Sequence, residues 1–326
     1  MNFRTEITCE KSVNQISISD NLCFIGSCFA QNMGEIVSES GFSTLVNPSG
    51  ILFNPISVAN CLNNMCMRAP YTEKDIVLHK QMWYSWQHHG SFAEPYSDAL
   101  LLKINNNLFR TASFLQKCNY LFITFGTAWV FKHVQYQEVV ANCHKLPANQ
   151  FERYCLGIED IVNEWIPLVN LLQSQNSHLQ VIFTVSPVRH LADGLHGNQL
   201  SKSILILAID EICKKTQAKY FPSYEIMLDD LRDYRFFETD MVHPSKQAIE
   251  YISEKLFDSW FSLESRKLMQ EVKQLKAAVL HKPLQPNADE YKVFIYNQIN
   301  KANRLLEANP HLQIQGVIDE LKSKIR

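Results

Sequence analysis

Leu22–Gly26, Phe42–Val46, Tyr120–Gly126 and Leu179–Val185 are short apolar runs that stop at small or turn-forming residues, and stretches of helical periodicity separate them. Ala218–Pro222 fits a fifth short strand. Strands that alternate with helices form βαβ units, and those units build a parallel sheet. The fold class expected is therefore α/β. A parallel sheet holds its ligands beyond the C-terminal ends of its strands. Gly26-Ser27, Asn47–Gly50, Gly126-Thr127 and Ser186-Pro187 should all open onto that one edge.

Between the strands, the spacing predicts helices over about 28–40, closed by Gly41 in a left-handed cap, and over 56–66. Residues 151–174 carry Ile158, Ile161, Trp165 and Leu168 at helical spacing, with Pro167 as a kink or a start. Residues 198–217 place Leu200, Ile204, Leu207 and Ile212 on one broad face. Residues 68–113 read as an insertion of short strands and loops, and 128–140 as a hairpin. Beyond Trp260 three helices are expected, at about 262–281, 288–308 and 311–325, with Pro283, Pro286 and Pro310 between them. The chain thus divides into a main domain, 1–260, and a helical C-terminal extension, 261–326.

Charge and cysteine usage exclude several classes. The net charge of −2 offers no field for a general nucleic-acid binder. Residues 261–326 hold 11 Lys and Arg against 7 Asp and Glu, an excess of 4 positive charges, and read as a solvated face. The nine cysteines show no Cys-x-x-Cys pair and no zinc spacing, so they read as reduced thiols and no metal is expected. Met1–Asp20 lacks the apolar core of a secretory signal, and no run approaches the ~18 apolar residues that span a bilayer. A cytoplasmic protein without a membrane partner is the expectation. No glycine-rich phosphate loop is present, so no cofactor is implied. Oligomeric state is left open.

Two segments carry chemistry. Ser27 would end the first strand at a helix N-terminus, where backbone N–H groups can hold a developing oxyanion. Asp240-Met241-Val242-His243-Pro244 places a histidine on a loop before a helix, with Pro244 suited to the first helical turn. Asp240 can orient that imidazole, which leaves the other ring nitrogen to take a proton from a serine. Cys28 is an alternative nucleophile at the same helix end, and a packing thiol otherwise. Trp86 and His89 could flank a sugar or acyl group, while Trp83 and Trp86 equally suit a core. His88 and His89 have no partner at metal-ligand spacing. Arg189 could hold a substrate carboxylate or phosphate, or make a structural salt bridge. Arg189 and the adjacent His190 follow a strand on the expected edge and are candidate substrate contacts.

Together these residues resemble the SGNH (GDSL-like) hydrolases. The string Gly26-Ser27-Cys28-Phe29-Ala30 resembles the signature of the GSCFA domain family, a branch of that superfamily. Further matches are Asn47–Pro55, Trp86–His89, Thr124–Thr127, Ser186–His190 and Asp240–Ser245, so the resemblance covers about residues 1–260. It implies a three-layer α/β/α sandwich with about five parallel strands, Ser27 as nucleophile, His243 as general base and Asp240 as its orienter. It implies oxyanion donors at the Ser27 and Gly50 backbone N–H groups and a third from an asparagine. The matching position is Ala128, which has no donor, so Thr127 or Asn54 would have to substitute. The reaction implied is removal of an O-acyl group, acetyl foremost, from a carbohydrate or related small ester. Transfer of the acyl group to an acceptor, and binding without catalysis, are the competing readings.

Overall fold

The computed structural model describes residues 5–283 and 289–325; Pro286 and position 288 lie outside the described residues. In chain order the main elements are β1 (Asn21–Gly26), α1 (Cys28–Glu39), β2 (Ser43–Val46), α2 (Pro55–Met67), β3 (Ile76–His79), β4 (Met82–Ser85), α3 (Ser97–Leu115), β5 (Tyr120–Phe125), β6 (Trp129–His133), β7 (Val139–Val140), β8 (Phe151–Cys155), α4 (Ile158–Gln175), β9 (Gln180–Val185), α5 (Gly194–Lys215), β10 (Lys219–Tyr220), the single turn α6 (Ser223–Glu225), α7 (Lys246–Trp260), α8 (Leu263–Leu280), α9 (Asp289–Ala308) and α10 (Gln315–Ser323). Five strands form one sheet in the order β10-β9-β5-β1-β2, and every pairing in it is parallel.

Side-chain alternation along these strands sends neighbouring residues to opposite faces. Leu22, Phe24, Tyr120, Phe122 and Ile182 pack with apolar residues of α1 and α7. Cys23, Ile25, Leu121, Ile123, Phe125, Val181, Phe183 and Val185 pack with α2, α3, α4 and α5. Both faces are covered, which is why the strands read as continuous apolar runs. The result is the three-layer sandwich expected. The extension packs Val272, Leu275, Ala302, Leu312, Ile314 and Ile318 into a smaller core of its own. It also reaches back to the end of α1, where Gln313 N–H donates to the Gly41 carbonyl at 2.8 Å.

Four local expectations need correction. The 68–113 stretch is not all short strands and loops: after the β3–β4 hairpin it enters the 19-residue helix α3, whose Leu100, Ile104, Leu108, Ala112 and Leu115 are buried. Residues 151–155 are a strand antiparallel to β6, and the helix starts only at Ile158. Pro244 lies outside α7, whose cap is Ser245, and forms a bridge to Phe237. On α5 the buried face is Asn198, Ser201, Lys202, Leu205, Ala208, Ile209 and Ile212, while Leu200 and Leu207 are about half exposed, at 53% and 51%. The buried face of α5 therefore carries polar groups to the sheet edge.

The crossing from β1 to α1 demands glycine. Gly26 has φ +139°, and a Cβ there would lie 2.1 Å from the Thr124 carbonyl oxygen of the neighbouring strand. Gly26→Ala combines backbone strain with a clash against a main chain that cannot retreat. It should lower stability by about 3 kcal/mol, read as a shift in the urea midpoint at constant m-value.

Candidate active site

Ser27 is buried as the N-cap of α1, and its Oγ accepts a hydrogen bond from Phe29 N–H at 3.2 Å. A serine in that place satisfies one of the helix's free donors, and it sets the hydroxyl beyond the end of β1. Asn47 holds the corner. Its Oδ1 accepts from Gly26 N–H at 2.8 Å, and its Nδ2 donates to the Ser27 carbonyl at 3.4 Å. The following turn carries Gly50 at φ +78°, where a Cβ would lie 2.3 Å from His89 Cβ. Asn107 of α3 donates to the Pro48 carbonyl and fixes the same turn from outside.

His243 and Asp240 form the expected pair. The imidazole Nδ1 lies 2.7 Å from Asp240 Oδ2, and both side chains are half exposed. Asp240 Oδ1 accepts from the N–H groups of Val242 and His243 at 2.8 and 3.0 Å. The His243 backbone bond, then its side-chain bond and the Val242 N–H, hold this carboxyl down at about 2. Arg189, just past β9, clamps the loop to the sheet edge. Its N–H donates to the Val242 carbonyl at 3.1 Å, its Nη1 to the Met241 carbonyl at 3.3 Å, and its guanidinium lies 3.9 Å from the centre of the Phe237 ring. Arg189 makes no salt bridge among the described residues, so the structural role it fills is a loop clamp. The ends of β1 and β9 flank β5, about 10 Å apart at ordinary strand spacing. Ser27 and His243 thus share one edge, without a direct hydrogen bond between them.

The expected oxyanion donors are mostly engaged within the protein. Asn54 caps α2, with Oδ1 accepting from Ser57 N–H and Nδ2 donating to Ser57 Oγ. Thr127 Oγ1 is 3.1 Å from Ser201 Oγ and accepts from Trp129 N–H. Gly50 N–H closes its turn on the Asn47 carbonyl at 2.8 Å. Ser27 N–H points to the Thr124 carbonyl at a long 3.3 Å, and is the least firmly held of the four. Ala128 is fully buried, and its N–H donates to Ser201 Oγ.

Of the expected substrate contacts, Trp86 is 6% exposed and sits in a cluster with His133, His144 and Phe151, so its ring belongs to the core. His89 bonds Ser91 through Nδ1 and lies against Gly50, at the rim of the site. His88 is buried on Ser85 Oγ, and burial, then His144, lowers it to about 3. Cys28 is raised, first by burial, despite the N–H groups and Lys202 that favour its thiolate. That leaves it a poor nucleophile beside Ser27. The nine cysteines are all unpaired. Among the described residues no group of side chains could hold a metal ion, and no helix is long and apolar enough to cross a membrane. A concavity of about 560 Å³ lies at the opposite end of the strands, lined by Asp20, Asn119, Gln180 and Gln217.

Lys202 escaped the sequence reading. It is fully buried, and its Nζ donates to the Gly126 carbonyl at 2.6 Å and the Ser186 carbonyl at 2.7 Å. Burial lowers it to about 7, with Cys28 opposing. The signal was there in Asn198, Ser201, Lys202 and Leu205, which share a helical face that the apolar residues alone do not define.

A parallel α/β/α sheet with a strand-terminal serine and a clamped histidine–aspartate loop on one edge is the class of protein these features define. Residues 21–256 match the GSCFA family, and residues 272–326 match the GSCFA domain protein, C-terminal domain. The chain belongs to the GSCFA family. No curated protein matches it. Among solved structures it is similar to a carbohydrate esterase family 3 protein from Talaromyces cellulolyticus, at 8% identity and TM-score 0.37, over 78% of this chain and 99% of that one. An acetyl xylan esterase, Est2A, from the rumen bacterium Butyrivibrio proteoclasticus gives 12% and 0.39, over 74% and 64%. A carbohydrate esterase family 2 enzyme with its carbohydrate binding domain, from Corynascus thermopiles (Myceliophthora fergusii), gives 9% and 0.36, over 79% and 68%.

Two measurements follow. Asp240 should titrate near 2 by carboxyl NMR. Its lowered value means the carboxylate favours the folded state above an unfolded value near 3.9, and that contribution fades as pH falls through 2. In His243→Gln the titration should move up only part of the way, because the two backbone N–H bonds remain. For Lys202 the slope has the same sign, but here the charged form is the one that burial disfavours. The folded value of about 7 lies below an unfolded one near 10.4, so the unfolded chain binds more protons in between and stability rises with pH there. The stability difference between wild type and Lys202→Met should move in favour of wild type by about 1 kcal/mol per pH unit from about pH 7 to 9, followed by urea denaturation.

Proposed function

We propose that this protein is a serine ester hydrolase that removes an O-acyl group, acetyl foremost, from a carbohydrate or related small ester. The observation that carries the reading is the His243–Asp240 pair at 2.7 Å, on a loop that Arg189 clamps to the sheet edge where Ser27 stands. Ser27 Oγ attacks the acyl carbonyl while His243 Nε2 takes its proton. The tetrahedral adduct collapses, and His243 returns the proton to the departing alcohol oxygen. Water, activated by the same imidazole, then cleaves the acyl-serine and frees the carboxylic acid. Asp240 keeps Nδ1 protonated and supports the imidazolium that forms. Transfer of the acyl group to an alcohol acceptor uses the same residues.

The test is turnover of p-nitrophenyl acetate and of acetylated xylo-oligosaccharides by the purified chain. Ser27→Ala should cost about 10⁴-fold or more in kcat, and a fluorophosphonate should label wild type at Ser27 alone. A folded Ser27→Ala protein with full activity would falsify the hydrolase reading. A folded wild type that neither turns over nor labels would mark a binding protein on this fold. Acyl transfer to added oligosaccharide, outrunning hydrolysis, would select the second reading.

A further inference from the structure

The oxyanion side of this edge is short of free donors, since Asn54, Thr127, Gly50 and Ala128 already hold internal bonds. His190 stands in the gap. Its backbone is fixed by Asn198 Oδ1, which accepts from His190 N–H at 2.9 Å. Its ring tilts against Phe53, with centroids 6.3 Å apart. Among the described residues neither ring nitrogen of His190 makes a hydrogen bond.

Gly126 shows where the ring points. A Cβ on Gly126 would lie 3.3 Å from His190 Nε2 and 2.8 Å from Phe53 Cβ. Gly126 continues β5, the strand that lies between β1 and β9, so this nitrogen stands at the end of the strand next to the one that carries Ser27. On the far side, the Gly126 carbonyl is bound by Lys202. The imidazole thus sits at the end of the central strand, within electrostatic reach of Lys202 and of His243.

We propose that His190 donates Nε2–H to the oxyanion formed when Ser27 attacks, and so supplies the side-chain donor that Ala128 cannot. The assignment rests on the esterase reading above and gives its oxyanion site a catalytic residue. The protonation state suits the role. Burial first, then Lys202 and His243, lower His190 to about 4, with Asp193 opposing. It is therefore a neutral imidazole at neutral pH, which carries one N–H. With no internal partner on either nitrogen, that proton is free to occupy Nε2. A neutral donor also leaves His243 the only imidazole on this edge asked to change charge during turnover.

The experiment compares His190→Ala and His190→Gln with wild type, on p-nitrophenyl acetate and on an acetylated oligosaccharide, with thermal melts to confirm folding. His190→Ala should lose about 10²-fold in kcat with little change in KM. His190→Gln, which restores an N–H donor, should regain about tenfold or more of that loss. A kcat within about threefold of wild type in His190→Ala would overturn the assignment, as would a loss confined to KM or an equal loss in both variants. Failure of the hydrolase reading looks different: Ser27→Ala would then match wild type and the fluorophosphonate would not label. An active, labelled wild type with an unaffected His190→Ala would remove only the oxyanion role of His190.

Discussion

A single buried lysine amine ties the working edge together. Lys202 reaches from α5 to the carbonyls that end β5 and β9, and it is sealed from solvent. Isolated, a buried charge is costly, and it is tolerated because two carbonyls receive it. Those carbonyls belong to Gly126 and Ser186, and the chain leaving them builds the rest of the site. Thr127 and Ala128 follow the first and bind Ser201, one residue before Lys202. Arg189 and His190 follow the second and hold the His243 loop and the open imidazole. The polar face of α5 is in effect the floor of the site.

The sandwich was legible because its strands are buried on both faces. Tyr120–Phe125 and Gln180–Val185 emerge as short apolar runs, and their boundaries follow from burial alone. Helix α3 was not legible, because Trp83, Trp86, His88 and His89 directed attention to loops while Leu100, Ile104 and Leu108 carried a helical stripe further on. Strand β8 was absorbed into the helix that follows it. It is a surface strand with exposed charged residues, Glu152 and Arg153, and its pairing partner β6 lies about twenty residues earlier in the chain.

Asp240 and His243 were readable because their contact is local, three residues apart, and one turn suffices to join them. Oxyanion donors are another matter. Whether Asn54 or Thr127 is free depends on Ser57 and Ser201, and the second of these is distant in sequence. A side chain's chemistry can be read from its type, but its availability is decided by neighbours that only the fold supplies. For the same reason Arg189 resolved into a clamp rather than an anion site, once Phe237 and the Met241 carbonyl lay beside it.

The contact between Gly41 and Gln313 has a consequence for the order of events on the ribosome. Gly41 follows the helix whose first turn holds Ser27, and its carbonyl is bound by a residue near the far end of the described chain. Ile7 N–H likewise reaches Asp230, and Ile16 pairs with Phe261. Elements made early are thus braced by elements made much later. Closures over such separations are slow, since chain entropy is lost before any contact returns it. A nascent chain will hold α1 without α7 until residues 246–260 have emerged, and the apolar flank of α1 stays open to chaperones for that interval.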